Sequence, residues 1–143
     1  MIATSLEMLR GLLEMDIAIL SEIRAGLEVV RHAAGSWATG LDLKGASLPL
    51  EDTFCQRLLE GRIGEAVGDV AADERTRDLR MAIGLGVGAW MGTPIKLSDA
   101  RLYVLCCLAR EARPQLGQRD VRVLEGFRRS MHDQLEQLAT GEG

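Results

Sequence analysis

Leu6, Leu9 and Leu13 recur at helical spacing among Glu7, Arg10 and Glu14, so residues 4–15 are expected to form a short amphipathic helix. The period then changes. Two β-branched runs, residues 17–23 and 27–33, flank a turn at Arg24, Ala25 and Gly26, which predicts a hairpin. Further on, Glu51, Asp52 and Thr53 supply carboxylates and a hydroxyl suited to a helix N-terminus. Phe54 with Leu58 and Cys55 with Leu59 form i,i+4 pairs, and Gly61 is a fitting stop. Ala66 and Val67 read as a brief strand. The charged stretch at residues 69–80 is expected to be a polar, partly helical excursion outside the core.

Two more strands are predicted at residues 87–97 and 102–109, turned by Ser98, Asp99 and Ala100. The second is apolar throughout and should be central, covered on both faces. Pro94 implies a free edge or a bulge beside the first. Val121, Leu124, Phe127, Met131, Leu135 and Leu138 then mark one long helix over residues 118–139, with residues 140–143 as a flexible tail. Hairpins dominate and no regular βαβ alternation is present, so the class is α+β with an antiparallel sheet in a single domain, residues 1–143.

With 143 residues, 47% of them hydrophobic and 27% charged, the chain can bury one core without a metal or disulfide. The net charge is −4 and no dense basic block occurs, so the electrostatic footprint of a nucleic-acid binder is missing. The longest uncharged stretch, residues 81–95, is too short for a bilayer and is interrupted by glycines. A cytoplasmic location without a membrane partner is expected. Cys55, Cys106 and Cys107 form no CxxC, and adjacent strand residues face opposite ways, so reduced buried thiols are expected. His32 and His132 have no sequence partner that would make a triad or a metal set, so neither a catalytic residue nor a metal is assigned.

The segments "LPLEDTFCQRLLEGR", "DVAADERTRDL", "GVGAWMGTPIKLSDARLY", "LCCL" and "LGQRDVRVL", in this order and spacing, resemble a GAF domain. The similarity covers residues 6–138. It is to a subgroup common in actinobacterial regulators, often joined to cyclic-di-GMP phosphodiesterase or other output domains. The resemblance implies a PAS/profilin-like antiparallel sheet of five or six strands, terminal helices on one face and a ligand cavity on the other. In this family the terminal helices frequently form homodimers and pass a signal to an attached output domain, so the chain is expected to be a homodimer and either a stand-alone sensor or a module excised from such a protein. Ala100 stands where a glycine is usual, and Arg80 and Gly64 stand where prolines are usual.

The expected ligand-binding residues are Phe54, Cys55, Asp69, Asp73, Arg75, Gly88, Trp90 and Gly92. Gly84, Gly86 and Gly88 would leave one strand face bare, Trp90 could stack on a planar ligand, and the charged residues could hold polar groups. Cys55 is either a cavity-facing thiol or a small hydrophobe beside Phe54, Leu58 and Leu59. Bilin-binding GAF domains usually carry a Cys-His pair, whereas Gln56 follows Cys55 here. The ligand and any cofactor are unassigned. The expected function is a non-enzymatic sensory or regulatory domain. The alternatives are a redox enzyme acting on a small sulfoxide, as in the free methionine sulfoxide reductases, or a purely structural dimerisation module.

Overall fold

The computed structural model describes residues 1–37 and 42–141. Helix α1 (Ile2–Leu13) buries Ile2, Leu6, Leu9 and Leu13, the stripe seen in the sequence, and ends at Glu14 in the left-handed region. The hairpin follows as β1 (Ile17–Arg24) and β2 (Leu27–Gly35). Its two turn residues, Ala25 and Gly26, have φ of 52° and 75°, the hand that matches the twist of paired strands. A short edge strand, β3 (Ser47–Pro49), and a 3-10 turn (Leu50–Asp52) lead into α2 (Phe54–Leu59). The Thr53 hydroxyl caps α2 by accepting from the Gln56 N–H, and Gly61 at φ 74° ends that segment.

The remaining elements are β4 (Ala66–Val67), α3 (Arg80–Leu85), β5 (Ala89–Lys96), β6 (Leu102–Ala109) and α4 (Gln118–Gly141). The six strands lie in the order β3-β2-β1-β6-β5-β4, and every pairing is antiparallel. β6 is central and buried from Tyr103 to Ala109, as its continuous apolar run predicts. β4 pairs with β5 only at Met91 and Trp90, so Pro94 lies beyond it on an open edge where its missing N–H costs no ladder bond.

Alternation along the central strands sorts the core into two layers. Ala18 and Leu20, Leu105 and Cys107, and Met91 and Ile95 meet α1 and α4 on one face. Ile17 and Ile19, Val104, Cys106 and Leu108, and Trp90 meet α2, α3 and their loops on the other. The β1–β2 register shifts between Leu20 and Ser21, where Leu20 pairs with His32 but Ser21 with Val30. Arg31 is the extra residue of this bulge. It lets Val30 and Ala33, three positions apart, serve the same core layer.

Several sequence expectations are corrected. Gly84 lies in α3 and Gly86, at φ 68°, is that helix's left-handed cap, so the alternate glycines do not line one strand. The strand itself begins at Ala89. The charged segment at 69–80 contributes Val70, Thr76 and Leu79 to the buried set; the Thr76 hydroxyl donates to the Val70 carbonyl at 2.8 Å. α4 continues through Gly141, two residues into the expected tail, and residues 142–143 lie outside the described residues. Leu124, Met131 and Leu135 of α4 are buried in the same layer as α1, as the periodicity of that helix predicts.

Candidate functional site

A cavity of about 430 Å³ opens on the sheet face opposite the terminal helices. Its floor is Ile19 of β1 with Glu28 and Val30 of β2, its side is Leu48 and Pro49 of β3, and its roof is Met81, Gly84 and Leu85 of α3. Asp42, Asp52, Thr53 and Arg80 add polar groups to an otherwise apolar lining. The roof is anchored from outside the cavity. The Trp37 indole N–H donates to the Leu85 carbonyl at 2.8 Å, and the Arg110 guanidinium lies 5.8 Å from the centroid of a Trp37 ring.

Glu28 is the unusual group in this setting, because it is only 1% exposed. Strand alternation puts it on the same face as Val30, so the same parity that builds the cavity floor carries the carboxyl inward. Its Oε2 accepts from the Ser21 hydroxyl at 2.8 Å, whereas Oε1 has no hydrogen-bond partner among the described residues. Burial pushes the carboxyl above its ordinary range, against smaller opposing contributions from the nearby Ser21, Cys55 and Thr53 side chains.

The residues expected at the site are placed beside this cavity rather than around it. Phe54 and Trp90 stack nearly parallel, 9° apart with centroids at 5.4 Å, and fill the space between α2 and β5. Gly92 is not a bare spot, since the Trp90 indole covers the place where its side chain would stand. Gly88 lies against the backbone of residues 110–112, so a close chain crossing explains it. Asp69 and Gly88 line a second depression of about 400 Å³ with Arg77 and Arg110, on the other flank of α3. Asp73 pairs with Arg75 at 2.6 Å and accepts from its backbone N–H, which makes the two a local turn clamp.

The three thiols are free and buried, Cys55 and Cys106 in the cavity-side layer and Cys107 in the helix-side layer. Hydrogen bonding with Cys106 and then burial push the Cys55 thiol far up, and burial does the same to Cys107. Sequence reasoning missed Glu28, Val30, Leu48 and Met81. A signal for the first two was present, since "LEVV" puts a carboxylate and a valine on one strand face.

The architecture has counterparts among solved structures. A phycoerythrobilin-bound GAF domain from a cyanobacterial phytochrome superposes with a TM-score of 0.77 over 99% of this chain and 87% of that one, at 15% identity. A phycocyanobilin-bound GAF domain from a cyanobacterial phytochrome gives 0.74 over 95% and 82%, at 16% identity. The chain has the GAF fold. The GAF domain of Thermosynechococcus elongatus PixJ, in its blue-light absorbing form, gives 0.74 over 98% and 85%, at 19% identity.

Among curated proteins, the cyclic di-GMP phosphodiesterase PA2567 of Pseudomonas aeruginosa is 34% identical over 92 residues, 63% of this chain. That match spans 15% of the Pseudomonas protein. No family model matches the chain. Among the described residues no group of three or more His, Cys, Asp or Glu is placed to hold a metal, and no helix is long and apolar enough to cross a membrane.

Proposed function

We propose that this chain is a GAF-type sensory or regulatory domain that binds a small molecule in the cavity under α3 and relays its bound state through the terminal helices. The observation that carries the reading is the apolar cavity of about 430 Å³, floored by the same strands whose opposite face supports α1 and α4. Ile19 meets the cavity while its neighbours Ala18 and Leu20 pack under the helices, so a ligand that shifts β1 or β2 alters the seat of the helix pair. A ligand preferring one arrangement would shift the population of the other.

The GAF folds of bilin photosensors and the partial match to a cyclic di-GMP phosphodiesterase support a signalling role. A cytoplasmic setting, an attached output domain, kinship with actinobacterial regulators and a homodimer belong to the same reading. For the dimer, the large apolar side chains that the terminal helices leave exposed, among the described residues, are Met8 and Leu12 of α1, 57% and 63% exposed, with Leu138 of α4. Sulfoxide reduction is the weaker reading, because a thiolate nucleophile is needed and the Cys55 and Cys107 thiols are buried with raised pKa values.

Native mass spectrometry of freshly purified protein, alongside a Met81→Trp variant that fills the cavity, tests the reading. A small molecule retained by the parent and lost from the variant supports it. A folded parent that retains nothing and binds no member of a small-molecule library overturns it.

A further inference from the structure

We propose, resting on the small-molecule reading above, that the molecule this cavity takes is mainly apolar and carries one basic nitrogen, whose N–H is received by the unpartnered Oε1 of Glu28 once the side chains that shield this oxygen part. The partners around that oxygen are already committed. Ser21 donates to Oε2 instead, and the Thr53 hydroxyl donates to the Leu50 carbonyl at 2.7 Å. The Cys55 thiol lies nearby but is a weak donor. An acceptor buried and left open carries the full desolvation penalty, which a ligand N–H would remove.

Charge selects among possible donors. Among the described residues, Glu28, Asp42 and Asp52 line the cavity against one guanidinium, Arg80, so the polar part of the lining favours a cation over an anion. Asp42 is oriented by the backbone N–H of Lys44, which donates to its Oδ1 at 3.0 Å. The rest of the lining, Ile19, Val30, Leu43, Leu48, Met81 and Leu85, fits only a carbon-rich body. Burial raises the Glu28 carboxyl above its ordinary range, and an ammonium ligand at Oε1 would favour its ionised form. Any proton the carboxyl carries then leaves to solvent as the N–H to Oε1 hydrogen bond forms.

Three probes of one shape separate the contributions: 1-naphthylmethylamine, 1-naphthaleneacetate and 1-methylnaphthalene, titrated by calorimetry into the parent and Glu28→Gln. The amine is expected to bind the parent at least about tenfold tighter than the acid, and Glu28→Gln to remove about tenfold of amine affinity while leaving the hydrocarbon unchanged. Glutamine keeps the shape and the bond to Ser21, and circular dichroism reports its folding. Should it fail to fold, the preference of the parent for the amine over the acid and the hydrocarbon decides. Binding of the hydrocarbon without preference for the amine, or a folded Glu28→Gln that binds the amine as tightly as the parent, overturns this inference and leaves the cavity reading standing. If none of the three binds the folded parent, both fall.

Discussion

Trp90 lays its indole over Gly92, two residues along the same strand, so that a side chain on Gly92 would collide with the ring. The same indole stacks on Phe54, which ties α2 to β5 through one aromatic layer. The glycine therefore serves close packing of the protein's own side chain.

Gly92→Ala should accordingly destabilise the fold by about 1–3 kcal/mol, the usual range for overpacking a filled core. The midpoint of urea unfolding, followed by tryptophan fluorescence, checks this. A variant as stable as the parent would mean that the indole moves aside freely.

Cys55, Cys106 and Cys107 are 2%, 1% and 0% exposed, and burial holds their chemistry back. A thiol reagent should label them only as fast as the native structure opens, and Cys55→Ala should cost on the order of 1 kcal/mol. Rapid labelling in the native state would show a thiol presented to solvent.

Ala100 occupies the turn between β5 and β6 at φ 76°, a conformation that suits glycine. Ala100→Gly should stabilise by about 0.5 kcal/mol, the relief of strain outweighing the added freedom of the unfolded chain. A rise of about 1–2 °C in Tm is the expected readout, the shift such a gain produces in a domain of this size; a fall would show that the backbone of the turn carries no strain.

Glu28 has a raised carboxyl pKa in the folded state, so its neutral form is favoured there over the unfolded chain. Its contribution to stability is complete below the ordinary value of 4.5 and is lost as pH rises through the raised folded value. Glu28→Gln removes that loss, and its stability relative to the parent should climb as pH rises above 4.5 and level off once the raised folded value is passed. Parallel unfolding curves across that range would contradict the assignment.

Met8 and Leu12 lie a turn apart on the exposed side of α1. If the chain pairs with a second copy through that face, Met8→Asp with Leu12→Asp should convert a dimer to monomer in sedimentation experiments without altering the circular dichroism. The Glu136 carboxylate accepts from the Ser98 backbone N–H at 2.9 Å and from the Ser98 hydroxyl at 2.7 Å, which ties α4 to the turn after β5 rather than to the Met8 and Leu12 face. A parent that sediments as a monomer at micromolar concentration would rule out this pairing.

Much of the architecture was legible in the sequence because its causes are local. The leucine stripe of α1, the Thr53 cap of α2, the turn at Ala25 and Gly26 and the unbroken apolar run of β6 each declare an element within a few residues. The resemblance to GAF domains then arranged those elements on two faces of one sheet.

Placement of the cavity was decided by contacts between residues far apart in sequence. Trp90 turned its ring along the strand toward Gly92 and Phe54, so these three residues pack on one another. The bulge at Arg31 set which side of β2 faces inward on either side of it, and Trp37 reached 48 residues along the chain to pin the end of α3 as a roof. Periodicity reports which positions share a face. It is silent on which side chain fills a given volume, because close packing depends on neighbours brought together only by the fold. So the sequence by itself determined the strands, the helices and their order, and the tertiary structure alone decided that Glu28, a charged residue in an apolar run, is buried beside a cavity with one oxygen unpartnered.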